Sequence, residues 1–452
     1  MAFTPAPGNE EILMSSENTV DVGALIDAEG IGRAQWTIIA LCGLVALLDG
    51  LDLQSIGLAA PGIVAQLHIP PQSLGAVFSA ALAGLMLGAF SLGPLADRVG
   101  RKGVLIGATL CFGVFTVATA FANSFPVLLA CRFLAGLGLG GAMPSFISLA
   151  SEYVPANKRA TIVSLLWAGF PLGGVVGGFL GSWIIPAYGW HSIFIVGGIV
   201  PIVIAFALIA ALPESVAFLI NRGRPREQIV GILRRIYPEK TIADDARFTR
   251  RAETSNASVS QLFAGGRALG TILLWIAFFF AFMILVTNSS WTPSLLRSLN
   301  VPVEQSAVAL ALFNFGSLFG SGVAGALVAA LGPAGVLSLT LLGGAVAYAG
   351  VGWAAPSIVG ITIAQTAFGV LLGCASSGLI ALAAIYYPSA VRSTGVGWAT
   401  AMGRFGSFVG PLVVGTLVGA HWGVQTIFAV VAGSILIGAV ACLLMPRPKA
   451  QD

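Results

Sequence analysis

The sequence predicts an all-α polytopic membrane protein with twelve transmembrane helices in two six-helix repeats, and three observations carry that prediction. Of 452 residues, 57% are hydrophobic and 9% charged, against roughly 25% charged in a soluble domain; the mean hydropathy is +0.94. Apolar runs repeatedly reach the ~20 residues that a helix needs to cross a bilayer core. The second half of the chain also repeats motifs of the first at a nearly constant offset. Composition excludes a soluble globular fold. A membrane barrel is excluded because its segments of about 10 residues alternate polar and apolar, whereas residues 104–122 and 199–212 are apolar on every face.

In chain order, residues 1–34 form an acidic polar arm (Glu10, Glu11, Glu17, Asp21, Asp27, Glu29). This is unlike the basic start of a signal peptide, so the arm is expected to stay in the cytoplasm. Gly, Pro and charge punctuation divides residues 35–212 into six spans, near 35–60, 74–95, 103–122, 126–150, 160–184 and 191–212. Residues 213–267 carry both signs of charge and read as short amphipathic helices in a cytoplasmic linker. Six further spans fill residues 268–445, near 268–291, 305–330, 334–354, 358–384, 393–418 and 424–445, before a short tail at 446–452. An even number of crossings puts both termini on one side. Of 22 Lys and Arg residues, Arg297 alone falls in a loop on the opposite side, and Arg132 and Arg404 fall inside spans. The remaining cations mark the linker side as cytoplasmic.

Several function classes drop out. The five cysteines lie in apolar segments without CxxC or paired spacing, so they read as packing residues. Three histidines near loops are too dispersed for a zinc or haem site, and no cofactor or metal is implied. The net charge of +4 sits in short loops, not along one polar surface, which argues against nucleic acid. No nucleophile and base accompany the buried charges, so an enzyme is not expected. The expected partners are the bilayer and a small solute, with the protein a monomer.

The repeat supplies a control for function. At an offset of 233, YVPANKRAT (153–161) meets YYPSAVRST (386–394), and Gly136, Leu139 and Gly140 meet Gly369, Leu372 and Gly373. Parallel six-helix repeats joined by a linker describe many secondary transporters. A charge needed only for the fold is expected in both copies. Yet Arg132 aligns with Gln365, Glu152 with Ile385, and Asp97-Arg98 with Ala329-Ala330 at an offset of 232. The asymmetric charges are therefore functional candidates.

Asp49 and Asp52 (LLDGLDLQ) fall midway through the first span, where an ionised carboxylate costs on the order of 3 kcal/mol. Their i, i+3 spacing shares a helix face, and two close carboxylates in a low dielectric resist joint ionisation, so the pair is expected to hold a proton. That suits proton coupling; the alternative is capping a kink at Gly50 or pairing with an arginine. Arg404 (AMGRFGS) lies mid-span in the eleventh helix and cannot shed its charge. Its anion is either an intramembrane aspartate or a substrate carboxylate bound bidentately. Arg132, about 10 Å from the outer end of the fourth span by helix rise, faces the same choice. GPLADRVGRK (93–102) closes the turn after the second span. With Glu152, Arg159 and Arg392, its Asp97, Arg98, Arg101 and Lys102 are candidates for a cytoplasmic gate, or else for a solvated basic loop. Trp167, Phe170, Phe313 and Trp398, near polar Asn314 and Arg404, are candidate ring-stacking residues, although most mid-span aromatics serve as core.

GPLADRVGRK and RFLAGLGLGGA resemble the loop and fourth-span signatures of the major facilitator superfamily. Within it, DGLDLQSIGLAAP, GLGLGGAMPSFISLASEY, WAGFPLGGVVGG and YYPSAVRSTGVGWATAMGRFGSFVGP are similar to the aromatic acid:proton symporter family, over nearly the whole chain. The resemblance implies proton-driven uptake of benzoate-, hydroxybenzoate- or phenylpropionate-like anions across a bacterial inner membrane. It maps the family's acidic pair onto Asp49 and Asp52, its fourth-span arginine onto Arg132, the acid after that span onto Glu152, and the later arginines onto Arg392 and Arg404. The family's usual DGFD reads DGLD here, with Leu51 in place of an aromatic. Two other readings stay open: a proton-linked exporter, suggested by Pro171-x-x-Gly174 in the fifth span, and a non-transporting sensor of aromatic acids.

Overall fold

The computed structural model describes residues 19–238, 247–249, 258–388 and 390–446, so most of the acidic arm, parts of the linker and most of the tail lie outside the described residues. Twelve of its helices are long and apolar enough to cross a membrane. A short strand β1 (Thr19–Asp21) and helix α1 (Val22–Ala28) precede the first six, α2 (Arg33–Leu67), α3 (Leu74–Val99), α4 (Arg101–Ala120), α5 (Phe125–Glu152), α6 (Ala156–Tyr188) and α7 (His191–Ala211). The linker contributes α8 (Val216–Asn221), α9 (Arg226–Ile236) and strand β2 (Arg247–Thr249), which pairs in parallel with β1. The second six are α10 (Ala268–Ser298), α11 (Val303–Leu331), α12 (Pro333–Ala354), α13 (Ile358–Tyr386), α14 (Arg392–Gly419) and α15 (Val424–Leu443).

All twelve expected spans are present, several of them longer than the apolar runs that marked them. With α2 at 35 residues, its length by helix rise is about 50 Å, well beyond a hydrocarbon core of roughly 30 Å. Polar ends such as Arg33 therefore continue the helix outside the apolar layer. Helices of one repeat pack mostly on one another: α3 on α5, α2 on α6 and α4 on α7, then α11 on α13, α10 on α14 and α12 on α15. The repeats join through α2–α10, α3–α14 and α6–α11.

That junction is concentrated on the side away from the linker. Near the far ends of α2 and α3, Gly57 packs its Cα on the Ser289 carbonyl of α10, and Gly75 packs on Pro411 of α14. A side chain at either glycine would collide with backbone, and this explains the residue type at both. Phe78 meets Trp291 edge-on at 5.5 Å, and Ser79 Oγ donates to the Phe408 carbonyl at 2.8 Å. One apolar core accordingly runs from Ile56, Leu74, Phe78 and Phe194 of the first repeat into Phe278, Trp291 and Phe313 of the second. The linker-side part of the first repeat keeps a separate core, built from Cys42, Leu105, Phe146 and Leu149 with Leu25 and Leu233 of the arm and linker.

Candidate functional site

A long helix with apolar residues on all faces has no preferred orientation of its own, so its few polar groups are sorted by what they meet. On α2 the two carboxylates part company. Asp52 faces α5, where Arg132 Nη1 lies 3.0 Å from its Oδ1. Arg132 is fully buried, and its other two nitrogens also have partners. Nε and Nη2 reach Thr119 Oγ1 at 3.0 and 2.9 Å, and Nη2 reaches Thr116 Oγ1 at 3.4 Å. The Phe194 ring covers the guanidinium with its centroid 4.9 Å from Cζ, a cation–π contact. Every face of this cation is occupied by protein. Arg132, expected as a candidate substrate ligand, is thus enclosed with Asp52 in the first repeat; its neighbours Thr116, Thr119 and Phe194 carry no charge and so drew no notice in the sequence.

Asp49, one turn earlier, is buried at 8% exposure. Among the described residues it forms no ion pair and accepts no hydrogen bond. The cation that acts on it electrostatically is Arg404 of α14, across the junction of the repeats. Arg404 is itself partly exposed and has no carboxylate in salt-bridge range among the described residues. Its Nη2 rests 3.3 Å from Met143 Sδ of α5, and a thioether is a weak acceptor for a guanidinium. The acid pair thus resolves into one carboxylate held by protein and one facing an arginine with unused donors.

The second repeat answers the buried ion pair with a neutral one. Gln365, which aligns with Arg132, donates from Nε2 to Asn288 Oδ1 at 2.9 Å, and Asn288 Nδ2 returns a bond to Gln365 Oε1 at 3.3 Å. In both repeats the fourth helix reaches the first at this level. The shared geometry is structural, and the charge is peculiar to the first copy.

The other polar junction is Asn314 of α11, whose Nδ2 donates to Gln54 Oε1 at 3.2 Å and to the Leu310 carbonyl at 2.9 Å. Gln54 lies in the same LLDGLDLQ segment as the acids, and its amide was overlooked beside them. Gly174 packs on the Asn314 amide, where a Cβ would collide, so the Pro171-x-x-Gly174 motif has a packing role between repeats. Phe170 and Trp167 are half-buried on α6, and the Phe170 carbonyl lies against Gly50. Phe313, expected to stack on a ligand, instead stacks on Phe368 at 5.3 Å inside the second repeat and is 1% exposed. Trp398 is 40% exposed and stacks on Trp275 at 5.9 Å, near the linker-side ends of α14 and α10.

The loop charges assemble within the first repeat. Arg101 bridges Asp97 at 3.2 Å and Glu152 at 3.4 Å. Buried Glu152 also accepts from Ser215 Oγ at 2.7 Å and the Ala217 amide at 2.6 Å, at the start of the linker. Glu214, missed in the sequence, caps α4 by accepting from the Arg101 and Lys102 amides at 2.9 and 3.0 Å. Lys102 Nζ donates to the Ile209 carbonyl, and the Arg98 carbonyl accepts from Arg222. Arg159 lines a small cavity with Glu152, Val22 and Val216. Arg392 stands apart on α14, exposed, donating to the Tyr387 carbonyl at 3.4 Å. The expected grouping of Arg392 with the other charges is therefore not present in this conformation: the cluster fastens the linker to the first repeat and does not bridge the two.

A family model described as Major Facilitator Superfamily matches residues 42–364 and 274–452. The 4-hydroxybenzoate transporter PcaK of Pseudomonas putida is 39% identical over 413 residues, covering 90% of this chain and 92% of that protein. The 3-(3-hydroxy-phenyl)propionate transporter of Escherichia coli is 35% identical, covering 91% and 94%. Among solved structures, a D-xylose-proton symporter superposes with a TM-score of 0.72 at 17% identity, over 92% of this chain and 99% of that one.

Proposed function

This chain belongs to the major facilitator superfamily, among its aromatic acid transporters, and we propose that it carries an aromatic carboxylate together with a proton, inward across a bacterial inner membrane. It is a multi-pass membrane transporter and not an enzyme. The observation that carries the proposal is that buried Asp49 has no ion pair among the described residues, while Arg404, the cation within its electrostatic reach across the joint between repeats, touches a thioether and no carboxylate.

Charge arithmetic at that joint gives the coupling. With the site empty, ionised Asp49 balances Arg404. With a proton on Asp49 and a substrate carboxylate on Arg404, the sum is again zero. A proton alone leaves one positive charge, and substrate alone leaves one negative charge. Closing the low-dielectric site around an unbalanced charge is costly, so only the empty and doubly loaded carriers interconvert readily between access states. The far-side seal between the repeats supports a conformation whose access is from the linker side, which the distribution of Lys and Arg assigns to the cytoplasm. In this scheme Asp52 and Arg132 keep α2 and α5 in register while Asp49 titrates.

The test is transport in proteoliposomes with an imposed pH gradient. Asp49→Asn should abolish pH-driven accumulation while leaving exchange of internal for external substrate. Accumulation at the wild-type level in Asp49→Asn would refute the assignment.

A further inference from the structure

Outside the transport site, positive charge goes unanswered where the linker meets the first repeat. Helix α9 buries Ile229, Leu233 and Ile236 in the linker-side core and leaves Arg234 and Arg235 exposed in its last turn. That turn is fastened to the start of α2. Gln35 Nε2 donates to the Tyr237 hydroxyl at 3.2 Å, and the Gly32 backbone lies against the Ile236 carbonyl. The contact brings exposed Arg33, the first residue of α2, to the same end as the two arginines of α9. Among the described residues, none of the three guanidinium groups has an ion pair or a hydrogen-bond partner. A helix C-terminus favours cations, which suits Arg234 and Arg235, but the N-terminus of α2 disfavours Arg33. Like charges gathered at two touching helix ends also repel. An anion at this place relieves both penalties.

The surroundings say which anion. A groove opens between α2, the end of α7 and α9. Ile38, Ala211, Pro213 and Ile232 give it an apolar wall, and its polar side chains are Arg235 and Thr37. It lies at the linker-side ends of two membrane-spanning helices. Along α7, exposed Val203, Phe206 and Ile209 lead up to it, an apolar surface suited to acyl chains. A soluble phosphate gains from the arginines and nothing from the wall, whereas a phospholipid gains from both. Basic pockets between transmembrane helices on the cytoplasmic side are where anionic headgroups bind. We propose that the groove between α2, α7 and α9 is a binding site for an anionic phospholipid, with Arg235 as the ligand of its headgroup and Arg33 and Arg234 adding to the attraction. The bound lipid fastens the linker helix to the first repeat. The site is independent of which solute the protein carries.

The experiment titrates the purified full-length protein in neutral detergent with dioleoylphosphatidylglycerol, dioleoylphosphatidylcholine or inorganic phosphate, and reads apparent affinity from thermal stabilisation. Wild type should favour phosphatidylglycerol over phosphatidylcholine by about tenfold or more, with inorganic phosphate ineffective. Removing one arginine near the surface weakens such attraction about fivefold, so Arg235→Gln should reduce the preference by that factor. Arg297→Gln, which removes an exposed cation on the opposite side of the membrane, should leave it unchanged. Thr37→Trp fills the groove from an exposed position and keeps every charge, so it should weaken phosphatidylglycerol binding by a similar factor. Equal affinity of wild type for the two lipids, or an undiminished preference in Arg235→Gln, overturns the proposal. Undiminished binding in Thr37→Trp overturns the placement in the groove, and stabilisation by inorganic phosphate to the same extent as by phosphatidylglycerol overturns the lipid as occupant.

Discussion

Removing the charge of Asp52 should damage the fold more than removing the charge of Arg132, although the two form one ion pair. Asp52→Asn leaves the Arg132 guanidinium at zero exposure with two threonine hydroxyls and the Phe194 ring for company. An arginine cannot discharge by losing its proton, so the variant retains an uncompensated buried cation, a defect of about 3–5 kcal/mol. Arg132→Gln keeps an amide donor for the Asp52 carboxylate in place of the guanidinium, so the loss should be smaller. The double variant Asp52→Asn/Arg132→Gln reproduces the Asn288–Gln365 amide pair that already serves the second repeat at the equivalent place. It should recover to within about 1 kcal/mol of wild type, because a neutral hydrogen-bonded pair avoids the desolvation of two ions. The assay is thermal unfolding in detergent, followed by the fraction remaining monodisperse, arranged as a double-mutant cycle. Additive losses in the double variant, or an Asp52→Asn protein as stable as wild type, would refute the reasoning that the pair is a structural clasp.

Other consequences follow from the same geometry. If Asp49 is the single titrating carboxyl, one proton accompanies each monoanion and the cycle is electroneutral. Uptake into proteoliposomes should then follow an imposed pH gradient and be unaffected by a potassium diffusion potential, and stimulation by the potential alone would show that a second proton moves. Arg404→Lys replaces a planar fork by a point charge, so it should weaken substrate affinity by about tenfold or more in binding titrations, while preserving the thermal stability of the empty protein. Gly57→Leu places a side chain against the Ser289 backbone and should keep the repeats from closing on the far side, abolishing net transport with substrate binding retained; normal turnover would contradict the seal described here. Glu214→Ala strips the cap from α4 and should cost about 1 kcal/mol in thermal stability.

The twelve helices were legible because crossing a bilayer imposes length and composition directly, and both are local properties of the chain. The charges were legible as exceptions for the same reason. Their partners were not, because a helix that is apolar all round carries no sign of which face meets which neighbour. Spacing put Asp49 and Asp52 together on α2, yet a 60° difference in direction around an ideal helix is enough to give one to α5 and leave the other at the seam with α14. Phe313 misled for the same reason: mid-span depth was readable, but its direction toward Phe368 was not. The internal repeat recovers part of what single helices conceal. Matching Arg132 to Gln365 pointed to a position where the first repeat keeps a charge that the second does without. The structure shows both side chains doing the same mechanical job, linking the fourth helix of a repeat to its first. Asymmetry between repeats therefore identifies a candidate without assigning its role. The stronger criterion is whether a buried charge or donor is answered within its own repeat. Arg132 and Asp52 answer each other there, whereas Asp49 and Arg404 have no such partner among the described residues, and in the proposed cycle those two groups lie where the repeats part and rejoin.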